Sequence, residues 1–128
     1  MYWKMKLEVI RPGQIPYQEA FKLQSSLQAR RKAGEIPDTL ILLEHPPVIT
    51  IGKRGTNADV LISPEKLTAE GVELYETNRG GEVTYHGPGQ IVGYLIFDVS
   101  EHGKDLHQFV HSLEQVFIDL LKEEYGIQ

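Results

Sequence analysis

Eight apolar residues near the end of the chain, Leu106, Phe109, Val110, Leu113, Val116, Phe117, Leu120 and Leu121, recur at helical spacing on one face. That period predicts an amphipathic helix, with Asp105 as its N-cap and Gly126 as its stop. An earlier helix opens at Pro16, a residue suited to a first turn. Tyr17, Ala20, Phe21, Leu23 and Leu27 give it an apolar side, and Gly34 ends it after Arg30-Arg31-Lys32. A short helix opens at Ser63-Pro64-Glu65 and closes near Gly71. The strand-like runs are Lys6 to Ile10, ended by Arg11-Pro12-Gly13; Thr39 to Glu44; Val48 to Ile51, after a kink at His45-Pro46-Pro47; Val72 to Glu76; and Ile91 to Val99. The order β-α-β-β-α-β-β-α describes an α+β domain, a mixed β-sheet with helices packed over one face. The last helix needs a sheet to cover it, and the sequence stops two residues beyond Gly126. The expectation is one domain over 1–128, incomplete at the C-terminus and continued in a longer parent.

Composition narrows the classes. A chain of 128 residues is one domain at most and can bury a core. Thirteen Lys and Arg against eighteen Asp and Glu give a net charge of −5, the wrong sign for a general nucleic-acid binder. There is no cysteine, hence no disulfide framework, no thiolate nucleophile and no zinc–thiolate site. Met1 to Lys6 lacks the apolar stretch of a signal peptide, and no segment approaches a membrane span. The expected setting is cytoplasmic, without nucleic acid, membrane, metal or cofactor.

The densest chemistry lies in Arg79-Gly80-Gly81-Glu82-Val83-Thr84-Tyr85-His86-Gly87-Pro88-Gly89-Gln90. Glycines permit positive φ and close approach of the backbone to a ligand. Their exposed N–H groups can bind an oxyanion, a carbonyl or a phosphate. No Gly-Lys-Ser/Thr follows, so this is not a phosphate loop. A strand follows where a dinucleotide fingerprint needs a helix. Arg79 can hold an anion or pin the loop with a bidentate contact. His86 reads equally as a group for substrate, whether donor to a carbonyl or base, and as a structural hydrogen bond in a tight turn.

The pattern Arg-Gly-Gly-x-x-Thr-Tyr-His-x-x-Gly-Gln-x-x-x-Tyr, from Arg79 to Tyr94, resembles the signature of octanoyltransferases at every fixed position. Glu44-His45-Pro46-Pro47-Val48-Ile49-Thr50-Ile51-Gly52-Lys53-Arg54-Gly55 resembles the same family's early strand pair. The resemblance runs over essentially the whole chain. It implies the α+β fold of biotin protein ligases and lipoate ligases. It also implies transfer of an octanoyl group from acyl carrier protein to a lysine of lipoyl domains, those of 2-oxoacid dehydrogenase E2 components and of the glycine-cleavage H protein. In such enzymes a cysteine takes the acyl group as a thioester, and a lysine lowers the thiol pKa. Thioester exchange needs no ATP. Carried over, Arg79, Gly80, Gly81, Glu82, Val83, Thr84, Tyr85 and His86 are substrate-binding, and His45, Gly87, Gly89, Gln90 and Tyr94 are candidate pocket residues.

The family's catalytic cysteine and lysine have no counterpart here. Lys104 and Lys122 sit in the wrong context, so no catalytic residue is assigned in this chain. It therefore reads as the N-terminal part of an octanoyltransferase, inactive by itself. An expressed fragment, a truncated gene product and one chain of a two-chain enzyme all stay open. The alternative class is a module that binds an acyl carrier or lipoyl domain without chemistry. An ATP-using ligase is the weaker third reading.

Other features carry less. His107 and His111 stand four apart, a spacing metals can use, but they share a face with Gln108, Ser112, Glu114 and Gln115, which reads as solvated. His45 before Pro46-Pro47 reads equally as pocket lining and as structure. Arg30-Arg31-Lys32 and Lys53-Arg54 read as solvated charge, or as docking patches for an acidic carrier. Trp3 reads as packing. Uncovered strand edges and the bare helix face predict self-association.

Overall fold

The computed structural model describes residues 6–128; the reading of Trp3 lies outside them. Strand β1 (Leu7–Gln14) leads into helix α1 (Tyr17–Lys32) and strands β2 (Asp38–Glu44) and β3 (Val48–Ile51). Helix α2 (Pro64–Ala69) follows, then strands β4 (Glu73–Glu76), β5 (Val83–His86) and β6 (Val92–Ile96), and helix α3 (Leu106–Tyr125). The class is α+β as expected, with one strand more than the pattern predicts. The extra strand, β5, lies inside the glycine segment. Its residues read locally as part of the glycine loop, and pairing with β3 makes them a strand.

β1 also runs through Arg11-Pro12-Gly13, which was expected to end it. Its ladder with β2 shifts register between Ile10 and Gly13. An irregularity of this kind accommodates a proline that has no N–H to donate. β6 is shorter than predicted, because Asp98 turns the chain into a 3-10 turn, Val99–His102, by accepting from the Ser100 N–H.

The strands divide between two three-stranded sheets, ordered β1-β2-β6 and β4-β3-β5, where a single mixed sheet was expected. Each central strand has one parallel neighbour, reached through a helix, and one antiparallel neighbour. The division falls at His45-Pro46-Pro47. Two successive prolines cannot donate to a ladder, so β2 cannot continue straight into β3.

α1 packs on the first sheet. Ala20 and Leu27 meet Ile36, Ile41, Leu43 and Ile96, with Ile10, Ile15, Leu23, Val92 and Tyr94 partly buried around them. Burying a side chain such as Ile41 contributes about 1.5–3 kcal/mol. Phe21 sits at the margin of this stripe and is exposed. Arg31, by contrast, is buried on it, which corrects the reading of Arg30-Arg31-Lys32 as uniformly solvated. Its Nε lies 2.9 Å from Asp38 Oδ1 and its Nη2 2.8 Å from Glu101 Oε2. Asp38 also accepts from the Asp98 N–H at 2.9 Å and faces His102 Nε2 at 2.6 Å. Burial raises the Asp38 pKa, but the hydrogen bonds from His102, Asp98 and Arg31 outweigh it and hold the carboxyl below its ordinary value. The hydrogen bond to Asp38 raises Arg31 in turn. This cluster ties the segment before α3 to the end of α1 and the start of β2.

The caps of the later helices follow the sequence. Ser63 accepts from the Lys66 N–H and Asp105 from the Gln108 N–H. Gly126, at φ +64°, ends α3. That helix packs Phe109 against Phe97 and His102, with ring centroids 5.7 and 5.9 Å apart. No residue of α3 is buried. Leu106, Val110, Val116, Phe117, Leu120 and Leu121 remain exposed, so no sheet of the described residues covers the stripe.

Candidate functional site

β3 organises the site. It pairs antiparallel with β5, setting Val48 opposite His86, Ile49 opposite Tyr85, Thr50 opposite Thr84 and Ile51 opposite Val83. Beyond β3 the chain turns at Gly52-Lys53-Arg54-Gly55. Three N–H groups of this turn donate to the glycine loop: Gly52 to the Glu82 carbonyl at 2.5 Å, Lys53 to Arg79 and Arg54 to Gly81, both at 3.0 Å. Only glycine fits where the two backbones meet. A Cβ at Gly52 would lie 2.4 Å from the Gly81 oxygen, and one at Gly55 2.7 Å from the Glu82 oxygen.

Arg79 acts inside the loop. Its Nη2 donates to the Thr50 carbonyl at 3.1 Å and to Thr50 Oγ1 at 2.9 Å, and its Nη1 donates to the Gly80 carbonyl at 2.8 Å. Thr50 is fully buried, which makes it a rigid anchor. The loop carbonyls thus point toward the turn and the guanidinium. Among the described residues no acceptor takes the N–H groups of Gly80, Gly81 or Glu82. Such groups suit a carbonyl or an oxyanion.

Beside the loop runs a wall of rings from five parts of the chain. His45, between β2 and β3, is fully buried. Its ring centroid lies 5.2 Å from Tyr17, 5.8 Å from His86 and 5.9 Å from Tyr94, and Tyr17 lies 5.0 Å from Tyr75. His45 Nδ1 is 2.8 Å from the Ile15 carbonyl and Nε2 is 2.7 Å from the Tyr94 hydroxyl. A carbonyl only accepts, so Nδ1 carries the hydrogen and Nε2 accepts from Tyr94. Burial pushes the His45 pKa down; the Ile15 hydrogen bond opposes this and nearby His86 adds to it. Burial pushes both tyrosines up, Tyr94 with help from Tyr17, and Tyr17 against the pull of Arg79. Neither is a ready nucleophile.

His86 and Gln90 close the other end. His86 Nδ1 is 2.9 Å from Gln90 Oε1. The intervening turn is held by the Gln90 N–H on the Gly87 carbonyl at 3.1 Å, and by Glu44 Oε1 accepting from the Gly89 N–H at 2.6 Å. Gly87 lies buried, with Tyr85 Oη close to it. Thr84 and Tyr85 are exposed on β5, Val83 is half-buried, and the Glu82 side chain is exposed.

The structure therefore brings Arg79 through Gln90, His45 and Tyr94 into one region. It adds residues that the sequence did not assign to the site: Thr50, Gly52 and Gly55 behind the loop and Glu44 under the turn, all within the segment that resembles the early strand pair, and Tyr17 and Tyr75 in the wall. The glycine spacing at 52 and 55 is a readable signal; the anchoring by Thr50 is not, because it depends on a partner 29 residues away. Lys104 lies in the link before α3 and Lys122 in its last turn. His107 and His111 are exposed on α3, with His111 Nδ1 3.5 Å from Glu114 Oε2. Among the described residues no group of three His, Cys, Asp or Glu side chains can hold a metal ion. Nor is any of their helices long and apolar enough to cross a membrane.

The site of this α+β domain thus combines a pinned glycine loop, backbone N–H groups without an acceptor among the described residues, and a wall of aromatic and imidazole rings. A model of the lipoyl protein ligase A/B catalytic domain matches residues 16–128, and the chain belongs to that family. It is 57% identical over 124 residues to the octanoyltransferase of Caldicellulosiruptor saccharolyticus, covering 97% of this chain and 53% of that protein. The octanoyltransferase of Desulforamulus reducens is 46% identical over 96% of this chain and 54% of that protein. The chain thus spans about half the length of the curated relatives it matches. Among solved structures, P. falciparum LipL1 in complex with lipoate shares the fold. Its TM-score is 0.69 at 18% identity, over 96% of this chain and 37% of that one.

Proposed function

We propose that residues 1–128 are the N-terminal part of a single octanoyltransferase catalytic domain and supply the acyl-binding half of its site. The observation that carries this reading is the loop from Arg79 to His86, pinned by Arg79 on Thr50, with the N–H groups of Gly80 and Gly81 lacking an acceptor among the described residues. The donor is octanoyl-acyl carrier protein. The acceptors are lysines of lipoyl domains, in 2-oxoacid dehydrogenase E2 components and the glycine-cleavage H protein, in a cytoplasmic setting. The loop N–H groups bind the acyl carbonyl and stabilise negative charge on its oxygen as a thiolate attacks. The thiolate and the lysine that lowers its pKa come from a segment outside this sequence, which contains no cysteine. Exposed Lys53 and Arg54, whose backbone holds the loop, form the docking patch for the acidic carrier.

The test is an octanoyl-transfer assay from octanoyl-carrier protein to an apo lipoyl domain. It is run on this chain alone and with a downstream segment bearing the cysteine and lysine. Transfer only in the mixture supports the reading; transfer by the chain alone overturns its mechanism. The missing cysteine favours a second reading, a non-catalytic module that holds an acyl carrier or lipoyl domain. Binding of the carrier without transfer in either arm would select it. Loss of carrier binding at high salt is expected for the Lys53-Arg54 patch, and salt-independent binding would exclude it.

A further inference from the structure

His86 is the one imidazole of the site with a nitrogen left over. Both nitrogens of neighbouring His45 are engaged, by the Ile15 carbonyl and the Tyr94 hydroxyl. His86 has its Nδ1 on Gln90 Oε1 at 2.9 Å, and among the described residues its Nε2 has no hydrogen-bond partner. An amide oxygen accepts and cannot donate. In the neutral ring, the hydrogen must therefore sit on Nδ1, which leaves Nε2 with its lone pair outward. The turn that carries Gln90 is itself fixed, by Glu44 on the Gly89 N–H and by the Gln90 N–H on the Gly87 carbonyl. The ring is flanked by His45 at 5.8 Å.

We infer that Gln90 is a positioning residue: it sets the tautomer of His86 so that Nε2 meets the substrate as a hydrogen-bond acceptor. This rests on the acyl-transfer reading and sharpens it. Neutral His86 then cannot donate to the thioester carbonyl, a task left to the loop N–H groups. Its partner is an N–H donor, an amide of the carrier's acyl arm or the amine of the acceptor lysine.

The tautomer is measured directly by nitrogen-15 NMR of the histidine rings, on this chain, independently of any transfer activity. An Nδ1–H tautomer at His86 is expected, retained in Gln90→Glu, whose carboxylate can only accept. In Gln90→Leu the tautomer is expected to shift toward Nε2–H. An Nε2–H tautomer in the unaltered chain, with the Gln90 amide donating to Nδ1, overturns the inference. So does a tautomer that Gln90→Leu leaves unchanged. Octanamide, which carries N–H donors, is expected to move the Nε2 resonance of His86, and methyl octanoate, which has none, to leave it in place. Movement with the ester alone, or with neither, overturns the substrate-facing role. If the tautomer is as expected while the two-segment transfer assay is silent, only the acyl-transfer reading falls.

Discussion

Arg79 commits its guanidinium to Thr50 and to the loop's own Gly80 carbonyl. Lysine carries the same charge but has no planar fork to reach the Thr50 carbonyl and hydroxyl together. Arg79→Lys is expected to cost about 1.5–3 kcal/mol, the range for hydrogen bonds to a charged group, measured by urea unfolding. Unchanged stability would mean the pin is not needed. Tyr94→Phe leaves the buried Nε2 of His45 without a donor, an expected loss of about 1–3 kcal/mol. The pH dependence has a definite sign. The folded pKa of His45 is lowered from 6.5, so below that value the unfolded chain takes up protons that the folded chain refuses. Its contribution is complete above pH 6.5 and is lost as pH falls from there through the folded pKa. His45→Gln is expected to flatten that limb of the stability profile; an unaltered limb would assign it to another group. The sequence left both Arg79 and His45 with two readings each. Their types, a forked cation and an imidazole, were visible. Which atoms they touch was not, because Thr50 and Tyr94 come from other strands.

Among the elements, α1 and α3 carry apolar stripes of similar clarity and meet different fates. α1 follows a strand that pairs in parallel with β2, so the crossover lays its stripe on that sheet. α3 leaves β6 through a link tied to Asp38, and packs Phe109 of its first turns on Phe97 and His102. Phe117 is 63% exposed and Val116 60%, so acidic residues there should cost the monomer little. Sedimentation should show self-association of the unaltered chain, and Val116→Glu with Phe117→Glu should reduce it without lowering stability. A monodisperse monomer from the unaltered chain would contradict this. Periodicity predicted both helices because it depends only on local spacing. β5 escaped it, since Val83–His86 lies inside the glycine segment and owes its existence to pairing with β3. Pro46-Pro47 marks a local break after β2, but the division into two sheets appears only when β3 finds partners of its own.

For the molecule as a whole, Asp38 joins the pieces. It binds Arg31 of α1, the backbone at Asp98 and the ring of His102. Asp38→Asn leaves a buried guanidinium without its charge partner on that side, an expected loss of about 3–5 kcal/mol, read from chemical denaturation. A change within the error of the fit would show that Glu101 suffices. Because the folded Asp38 pKa lies below 3.8, its contribution is present above that pH and fades as acid is added. By itself the sequence determined the class of fold, the helices with their caps, and the motif from Arg79 to Tyr94, all properties of near neighbours along the chain. Tertiary structure alone decided that the strands form two sheets and that Arg79 pins its loop to Thr50 of β3. It also decided that Arg31 is buried and that, among the described residues, His86 Nε2 has no hydrogen-bond partner. Each depends on groups far apart in sequence, whose hydrogen bonds are chosen only when the chain has brought them within 3 Å or so.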